Sequence, residues 1–348
     1  MFDVIIAGAG PSGLYAARCC EKAGLSVLVL EEHARIGNPC HCSGLISKNL
    51  DMFIRPDKIW IEHEVKGAII HSPNRKKLKV KKPHPVAYVV NRTKFDQFLA
   101  SKVKSEIKLK SGIESFNVTD NGVVVKSGSK TFKSKVLLGC DGSDSFVRKS
   151  MNVKPKETLN GIIAIIDEKN TSEFVELWFD KNVCDGFLWK IPRGKTTEYG
   201  MLGTVVKFSQ LESFFKLKTQ YKKYAGLIPL GPPKTYFNRV MLVGDAAAHV
   251  KPWSCGGVIY SLITAQIAAE VVKQAKEANN FSEKFLKKYE QEWKRKIGSR
   301  IKAGMIARRV FKKMNNAQIN LAISSAKGLG FLMNKLDMDF LFKMKKKY

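Results

Sequence analysis

The glycine-rich segment GAGPSG, residues 8–13, restricts the fold of this chain more than any other feature. The apolar run Val4-Ile5-Ile6-Ala7 precedes it, and a helical pattern follows it up to Gly24. A second apolar run, residues 26–30, ends at Glu31. The order predicts a strand, a tight turn, a helix and a second strand, with an acid placed to bind a ribose 2′-hydroxyl.

Each glycine of this segment has its own task in such an arrangement. Gly8 permits the tight turn, Gly10 lets the backbone approach a pyrophosphate, and Gly13 lets the helix pack closely on the strand. With Pro11 and Ser12, the helix N-terminus offers unpaired N–H groups and a partial positive charge to phosphates. We therefore expect a Rossmann-type dinucleotide-binding unit, the alternative being a glycine turn in an unrelated α/β protein.

The charge of the chain is unusual. Sixty Lys and Arg residues stand against thirty-one Asp and Glu, for a formal net charge of +29. This excess favours a polyanionic partner such as an anionic membrane or nucleic acid, and a generally lysine-rich surface is the alternative. No basic stretch interleaved with aromatic residues fits a known RNA or DNA module, so we expect no specific nucleic-acid partner.

The remaining bulk features predict a cytoplasmic protein. No signal-peptide pattern is visible, and the longest apolar stretches, such as 258–272, contain Ser, Thr, Gln and Glu. They fall short of a membrane span. Seven cysteines at irregular spacing do not indicate a secreted disulfide framework.

Two later motifs extend the first one. VLLGCDGSDSFVRK is a strand ending at Asp141-Gly142, and VMLVGDAAAHVKPWSCGG ends a strand at Gly244-Asp245 and runs through Pro252 to Gly256-Gly257. NRTKFDQFL adds an R-x-x-F-D pattern that begins at Arg92. Together, over roughly residues 1–290, these motifs resemble the FAD-dependent oxidoreductases of the p-hydroxybenzoate hydroxylase type.

That resemblance implies FAD as the cofactor and assigns residues to it. In the superfamily the first motif holds the ADP half, the second lies close to FAD and the nicotinamide route, and the Asp of the third binds the ribityl or pyrophosphate region. The residues carried over as cofactor-binding are Gly8, Gly10, Pro11, Ser12, Gly13, Glu31, Glu32, Cys42, Ser43, Gly44, Arg92, Asp141, Gly142, Gly244, Asp245, Pro252, Gly256 and Gly257.

Two segments are similar to one branch, the geranylgeranyl reductases, and especially to archaeal digeranylgeranylglycerophospholipid reductases. EEHARIGNPCHCSGLIS matches E-x-x-x-x-I-G-x-P-x-x-C-x-G-L-[IV]-S, with Cys42 at the single cysteine of the pattern. DGFLWKIPRG resembles P-x-x-Y-x-W-x-F-P: Trp189 and Pro192 are retained, Phe187 replaces Tyr and Ile191 replaces Phe. The substitutions keep an apolar wall and remove the tyrosine hydroxyl.

The segment PCHCSG, residues 39–44, permits three interpretations. A zinc site needs four ligands, usually from paired clusters, and Cys40, His41 and Cys42 have no partner cluster, so we expect no metal. A one-residue spacer strains a disulfide between the two cysteines. The resemblance implies a loop that passes the isoalloxazine ring, with Cys42 facing the reacting centre and the other two residues structural.

The resemblance further implies reduction of C=C bonds in the geranylgeranyl chains of archaeal ether lipids. Reduced flavin would give hydride from N5, and a proton must reach the other carbon; Cys42 is the catalytic candidate because a cysteine thiol is largely protonated at neutral pH. The alternative for Cys42 is that it only packs against the flavin ring. The alternative for the segment from Trp189 to Pro192 is that it belongs to the core of a β-sheet and binds no substrate. The substrate-binding residues expected are Phe187, Trp189, Ile191, Pro192 and Trp253.

The fold expected is α/β, with a Rossmann-type FAD-binding domain, an inserted antiparallel β-sheet substrate domain and a C-terminal helical region. Their predicted limits are 1–57, 86–150 and 236–282 for the first, 58–85 and 151–235 for the second, and 283–348 for the third.

The C-terminal region is strongly basic. Residues 284–348 contain eighteen Lys and Arg against four Asp and Glu. A helix over 300–317 is predicted to carry Ala303, Ile306, Ala307, Val310, Phe311 and Met314 on one face and Lys302, Arg308, Arg309, Lys312 and Lys313 on the other. Such a helix can lie on the anionic inner face of a membrane; a helix docked on the protein with a solvated basic face is the alternative.

Three other functions stay open at this point: a monooxygenase of the same fold, a protein like the electron-transfer flavoprotein oxidoreductases, and an FAD-containing nucleic-acid-binding protein. The clustered cysteines of an iron–sulfur module, which the second would need, are missing. Ferredoxin, NAD(P)H and a reduced deazaflavin are all compatible as reductant, and the sequence does not indicate the oligomeric state.

Overall fold

The computed structural model describes residues 1–218, 220–328 and Asp339, and these form two compact units. The first unit contains Met1–Pro39, Thr93–Glu157 and Ile228–Met305; the second contains Cys40–Arg92, Thr158–Leu227 and the described residues from Ile306 onward. These limits differ from the predicted domain limits: residues 40–57 and 86–92 lie in the second unit, and 283–305 in the first. The division into functional domains therefore remains a prediction.

The strands among the described residues are, in chain order, β1 (Phe2–Ala7), β2 (Val27–Leu30), β3 (Leu45–Ser47), β4 (Ile61–Val65), β5 (Gly67–His71), β6 (Lys77–Lys81), β7 (Ala87–Val90), β8 (Glu106–Lys108), β9 (Ser115–Thr119), β10 (Gly122–Ser127), β11 (Lys130–Gly139), β12 (Glu157–Ile166), β13 (Phe174–Trp178), β14 (Phe187–Pro192), β15 (Thr197–Gly203), β16 (Lys222–Leu230), β17 (Tyr236–Phe237) and β18 (Val240–Leu242).

The α-helices are α1 (Pro11–Lys22), α2 (Arg92–Ala100), α3 (Phe146–Ser150), α4 (Phe208–Phe215), α5 (Val258–Glu277), α6 (Glu283–Trp293), α7 (Ser299–Lys313) and α8 (Asn316–Gly328). Short 3₁₀ turns cover Lys48–Met52 and Gly244–Ala247, and a π-helical turn, Lys294–Gly298, joins α6 to α7. The structure describes no helix long and apolar enough to cross a membrane.

The first unit is built on a largely parallel sheet in the order β17-β18-β11-β1-β2-β8, to which the β9–β10 hairpin is attached. The central strand β1 pairs in parallel with β11 and with β2 and is almost wholly buried, as continuous apolar strands of parallel sheets are. Because β1, β11 and β18 run in parallel, the segments that follow them leave the same edge of the sheet. The expected Rossmann-type unit is confirmed.

Helices α1, α5 and α6 belong to the same unit. The small buried residues of α1, Ala16, Ala17 and Cys20, allow close packing beside α5. Helix α6 is fixed by hydrogen bonds to the sheet: the Tyr289 hydroxyl donates to the Leu242 carbonyl (2.8 Å), and the Trp293 indole donates to Thr235 (2.9 Å).

The second unit contains a seven-stranded sheet in the order β16-β12-β15-β14-β13-β5-β6 and a three-stranded sheet β3-β7-β4. The pairs β12–β15, β15–β14, β14–β13 and β5–β6 are antiparallel, as expected, whereas β13–β5 is parallel. One face of the larger sheet packs on α4 through a cluster that includes Leu188 and Met201. The opposite face carries Phe179 and Phe187 and packs on Phe311 of α7.

The predicted amphipathic helix differs from the structure in its limits and in its faces. Helix α7 ends at Lys313, and α8 begins after a two-residue break. Arg308, expected in solvent, is only 4% exposed and lies with Phe311 (7%) on the covered side of α7. Ile306 (52%) and Val310 (57%) are exposed. Residues 329–338 and 340–348 of the predicted helical region lie outside the described residues.

Candidate active site

The three sequence motifs meet at the carboxyl edge of the sheet in the first unit. Gly8 follows β1, Asp141 follows β11, and Gly244 follows β18 after one residue. A Cβ atom at Gly244 would lie 2.9 Å from the side chain of Ser12, so the third motif touches the first. Residues separated by more than two hundred positions in the sequence thus form one cradle.

The glycine segment has the shape that a pyrophosphate site requires. Gly8 has φ +92°, and a Cβ there would lie 2.6 Å from the Cys140 carbonyl oxygen. A Cβ at Gly13 would lie 2.0 Å from the Gly8 oxygen, so α1 starts in direct contact with the turn. At Gly10, by contrast, a Cβ would meet no atom within 4 Å. The turn is closed toward the protein and open at Gly10, with Pro11 in the first turn of α1 and no side chain capping it. This arrangement fits a dinucleotide phosphate.

Glu31 is fixed beside the same turn. Its carboxylate accepts hydrogen bonds from the Ala9 amide (2.7 Å) and the His33 amide (2.9 Å), and its side chain is almost buried. Such a fixed acid at the end of β2 fits a ribose hydroxyl. The neighbouring Glu32 is 70% exposed in its side chain and lies 3.9 Å from the His33 ring nitrogen Nδ1.

The second motif is held by its own side chains. Asp141 accepts hydrogen bonds from the Ser145 hydroxyl (2.6 Å) and the Val147 amide (2.9 Å), and burial raises the pKa of this carboxyl. Gly142 follows with φ +76°. Asp141 thereby fixes the turn before α3, and its predicted contact with the cofactor remains a prediction.

Arg148 connects the second motif to the third. Its guanidinium donates to the carbonyls of Ser143 (2.6 Å), Asp245 (3.3 Å) and Ala246 (3.1 Å), and the residue is only 5% exposed. These bonds give it a structural task, which is to tie together the two loops that follow β11 and β18.

The rest of the third motif is closely packed. A Cβ at Gly257 would lie 2.6 Å from an Asp245 carboxylate oxygen, and one at Gly256 would lie 2.9 Å from Lys251. Pro252 lies against Gly304 of α7, where a Cβ would be 2.9 Å from the proline ring. Trp253, predicted to bind substrate, is 41% exposed.

His249, in the same motif, is completely buried against Trp293 (ring centroids 4.7 Å apart) and Tyr289 (6.4 Å). Neither of its ring nitrogens has a hydrogen-bond partner among the described residues, and burial lowers its pKa to about 3. It is a neutral packing residue.

Arg92 is the first residue of α2. The next residue, Thr93, donates to the Gly37 carbonyl (2.8 Å), which ties this end of the helix to the loop that follows β2. The buried Asp96 of the R-x-x-F-D pattern lies one turn further on.

In the second unit, Cys42 is exposed on a short loop before β3. The Gly44 amide donates to its sulfur (3.4 Å), and the Cys40 thiol donates to its carbonyl (3.6 Å). None of the seven cysteines, Cys40 and Cys42 included, forms a disulfide. No group of three or more His, Cys, Asp or Glu side chains among the described residues is arranged to hold a metal ion. His41 packs on Gly226 of β16.

Strand β14 presents the predicted apolar wall. Alternation along the strand places Phe187, Trp189 and Ile191 on one face, opposite Leu188. The rings of Phe187 and Trp189 are 5.9 Å apart, and Trp189 lies directly on Gly200, where a Cβ would be 2.1 Å from the indole. Trp189, Ile191 and Pro192 are all buried, so Phe187 is the one partly exposed residue among the four predicted wall residues of β14.

Sequence reasoning missed an ion pair behind this wall. Arg193 and Glu198 are both buried and lie 2.7 Å apart, and Glu198 also accepts a hydrogen bond from the Trp189 indole (2.8 Å). A glutamate within the apolar strand TEYGMLG, five residues after an arginine that ends WKIPR, was the available signal.

A family profile described as "FAD binding domain" matches residues 1–210. The chain is 29% identical to the digeranylgeranylglycerophospholipid reductase of Methanococcus vannielii, over 93% of this chain and 90% of that one. It is 30% identical to digeranylgeranylglycerophospholipid reductase 1 of Methanococcoides burtonii, over 99% and 93%.

The fold matches a solved structure over nearly its whole length. The geranylgeranyl bacteriochlorophyll reductase-like protein of Thermoplasma acidophilum superposes with a TM-score of 0.87 and 22% identity, covering 98% of this chain and 93% of that one. The chain is thus an FAD-dependent oxidoreductase, and it belongs to the digeranylgeranylglycerophospholipid reductase family.

Proposed function

We propose that this protein reduces the isolated C=C bonds of geranylgeranyl chains in archaeal ether phospholipids. The observation that carries the proposal is the full-length similarity to digeranylgeranylglycerophospholipid reductases, combined with an exposed thiol at the position of that family's single cysteine. Reduced FAD, when bound, supplies hydride equivalents. The chain itself must hold the cofactor, align an alkene that has no polar handle, and provide a proton.

The cofactor is assigned to the cradle of the first unit. The open backbone at Gly10 and the N-terminus of α1 would receive the pyrophosphate, and the fixed carboxylate of Glu31 would receive a ribose hydroxyl. Asp245, whose backbone is held by Arg148, would face the ribityl region. Removing the open space at Gly10 should therefore abolish cofactor binding.

Cys42 is the proposed proton donor. Its thiol is exposed on a loop, and the amide of Gly44 donates to its sulfur. Protonation of the carbon that does not receive hydride requires only one properly placed acid, because the alkene has no carbonyl to polarise. A thiolate formed in this step would be reprotonated from solvent.

The apolar chain is assigned to the aromatic face of β14. Phe187 is partly exposed, and it lies between the buried Trp189 (ring centroids 5.9 Å apart) and the buried Phe179 (5.6 Å), which packs on Phe311 of α7. Flat aromatic side chains bind alkyl groups by excluding water and do not require a specific polar partner. The wall thus fits a prenyl substituent.

The test uses the FAD-loaded protein, reduced with dithionite without oxygen and mixed with a geranylgeranylated ether phospholipid. We expect the flavin to be reoxidised and the lipid to gain pairs of hydrogens by mass spectrometry. Cys42→Ala should lower turnover at least tenfold at unchanged FAD content, whereas Cys40→Ala should retain it. Reoxidation only when oxygen is admitted would point instead to a monooxygenase, and full activity of Cys42→Ala would remove the cysteine from the mechanism.

We also propose that the protein is cytoplasmic and binds the inner face of the membrane through α7. Ala303, Ile306, Ala307 and Val310 are exposed along one stripe of this helix, flanked by the exposed cations Lys302, Arg309 and Lys313. An apolar stripe between cations matches an anionic bilayer surface, where each nearby cation adds about 1 kcal/mol.

Sedimentation with vesicles of anionic ether lipids tests the membrane proposal at physiological salt. Ile306→Glu combined with Val310→Glu should abolish binding. The matched control is Val205→Glu, which changes another exposed valine, 68% exposed and outside α7. Equal binding by all three proteins, or no binding by the unchanged protein, would contradict a role for this stripe.

A further inference from the structure

A buried ion-pair network lies behind the aromatic face of β14, and the chemistry proposed above does not use it. Arg193 follows Pro192, and its side chain is 8% exposed. Its guanidinium donates to the carboxylates of Glu198 (2.7 Å) and Glu62 (2.9 Å). One cation therefore joins β15 and β4 to the end of β14.

The same guanidinium also holds the loop that carries Cys42. It donates to the carbonyl of Ser43 (2.6 Å), the residue next to the thiol, and to the carbonyl of Val90 in β7 (2.8 Å). The Val90 amide in turn donates to the Gly44 carbonyl (2.9 Å). The backbone immediately after Cys42 is thus fixed by Arg193 and by β7.

A second arm of the network reaches the aromatic wall. The Glu198 carboxylate that pairs with Arg193 accepts the indole N–H of Trp189 through its other oxygen (2.8 Å). Because the indole is also pressed against Gly200, its position is determined from two sides. A single buried carboxylate connects the orientation of the wall to the cation that holds the Cys42 loop.

We propose that Arg193 is a positioning residue of the reductase site, which fixes the Cys42 loop through Ser43 and the Trp189 indole through Glu198. The inference rests on the proposed function, since it makes Cys42 and Trp189 parts of one site. The planar guanidinium offers five N–H donors in a fork and serves four acceptors here. A lysine has one nitrogen and cannot reach carbonyls and carboxylates on different sides.

The test is hydrogen exchange of the FAD-loaded, full-length protein, together with steady-state reduction of the ether lipid. Arg193→Met is compared with Lys195→Met, which removes an exposed cation two residues away. In Arg193→Met we expect amide exchange over residues 40–46 to accelerate about tenfold, the effect of losing one charge-assisted hydrogen bond. We expect kcat to fall at least tenfold at a KM changed less than twofold, because the loop is misplaced while the lipid still binds.

Two further variants keep the test decisive. Arg193→Lys should recover part of the exchange protection. The double variant Arg193→Met/Glu198→Gln avoids leaving the Glu198 charge without its partner, and it replaces the single variant if that one does not fold.

Unchanged exchange over 40–46 would overturn the inference, as would equal acceleration throughout 157–203, which indicates a general loss of structure. Failure of the unchanged protein to reduce the lipid would refute the proposed function, and with it the role of Arg193 in that site.

Discussion

Burial of His249 should make the protein sensitive to mild acid. The unfolded chain protonates this imidazole near pH 6.5, whereas burial lowers its pKa to about 3 in the folded protein. A lowered folded-state pKa for a histidine contributes stability at neutral pH that is lost as the pH falls below 6.5. Between pH 7.5 and pH 5 this single group should reduce the free energy of unfolding by about 2 kcal/mol, at about 1.4 kcal/mol for each pH unit below 6.5.

His249→Leu removes the titrating group and keeps a side chain of similar volume between Trp293 and Tyr289. At pH 7.5 the variant should match the unchanged protein to within about 1 kcal/mol, because the two ring nitrogens make no hydrogen bonds to lose. At pH 5 it should be the more stable of the two by about 2 kcal/mol. Urea unfolding followed by tryptophan fluorescence, at a fixed FAD concentration, measures both values.

The control is His84→Leu, which removes an exposed histidine. As the pH falls from 7.5 to 5, the free energy of unfolding of this control should decrease in parallel with that of the unchanged protein. If the stability of His249→Leu also falls in parallel with that of the unchanged protein, the buried imidazole contributes no pH dependence to the free energy of unfolding. Burial would then not lower the pKa of His249.

Three other perturbations have expected outcomes. Gly13→Ala should destabilise the first unit and prevent FAD loading, because its Cβ would lie 2.0 Å from the Gly8 oxygen. Gly10→Ala should fold normally and lose only the flavin absorbance. Circular dichroism and the visible absorbance of the flavin distinguish the two variants. Arg148→Met leaves three carbonyls without their donor and should lower the urea midpoint by the equivalent of about 3 kcal/mol, and an unchanged midpoint would contradict the tie between the two motifs. Burial raises the pKa of Glu198 from 4.5 to about 6, so the folded protein loses stability as the pH rises through that interval. Glu198→Gln should remove about 2 kcal/mol of this pH dependence. Urea unfolding at pH 4.5 and at pH 7 measures the difference.

The cradle of the first unit was predictable because its parts are local in sequence. A strand, three glycines with separate tasks and an acid at the end of the next strand leave few alternatives, and the parallel sheet follows from them. The two later motifs were found as patterns. Their mutual attachment through Arg148 was not, since side-chain bonds to carbonyls a hundred residues away leave no local trace.

The C-terminal helix shows what periodicity cannot determine. Its apolar residues recur at helical spacing, but they include both the buried Phe311 and the exposed Ile306 and Val310. Arg308 is buried although its type predicts exposure. A helix with two apolar stripes buries the stripe on which another element packs. For α7 this element is the face of the sheet formed by β13 and its neighbours, which is distant in the sequence.

The bonds that Arg148 and Asp141 make within the chain have a thermodynamic consequence for cofactor loading. Loops that must be ordered by a ligand consume part of its binding free energy as lost conformational entropy. Here the turns that follow β11 and β18 are already fixed by hydrogen bonds from Ser145, Val147 and Arg148. FAD bound in this cradle as proposed would not have to order these two turns, so the flavin should dissociate slowly.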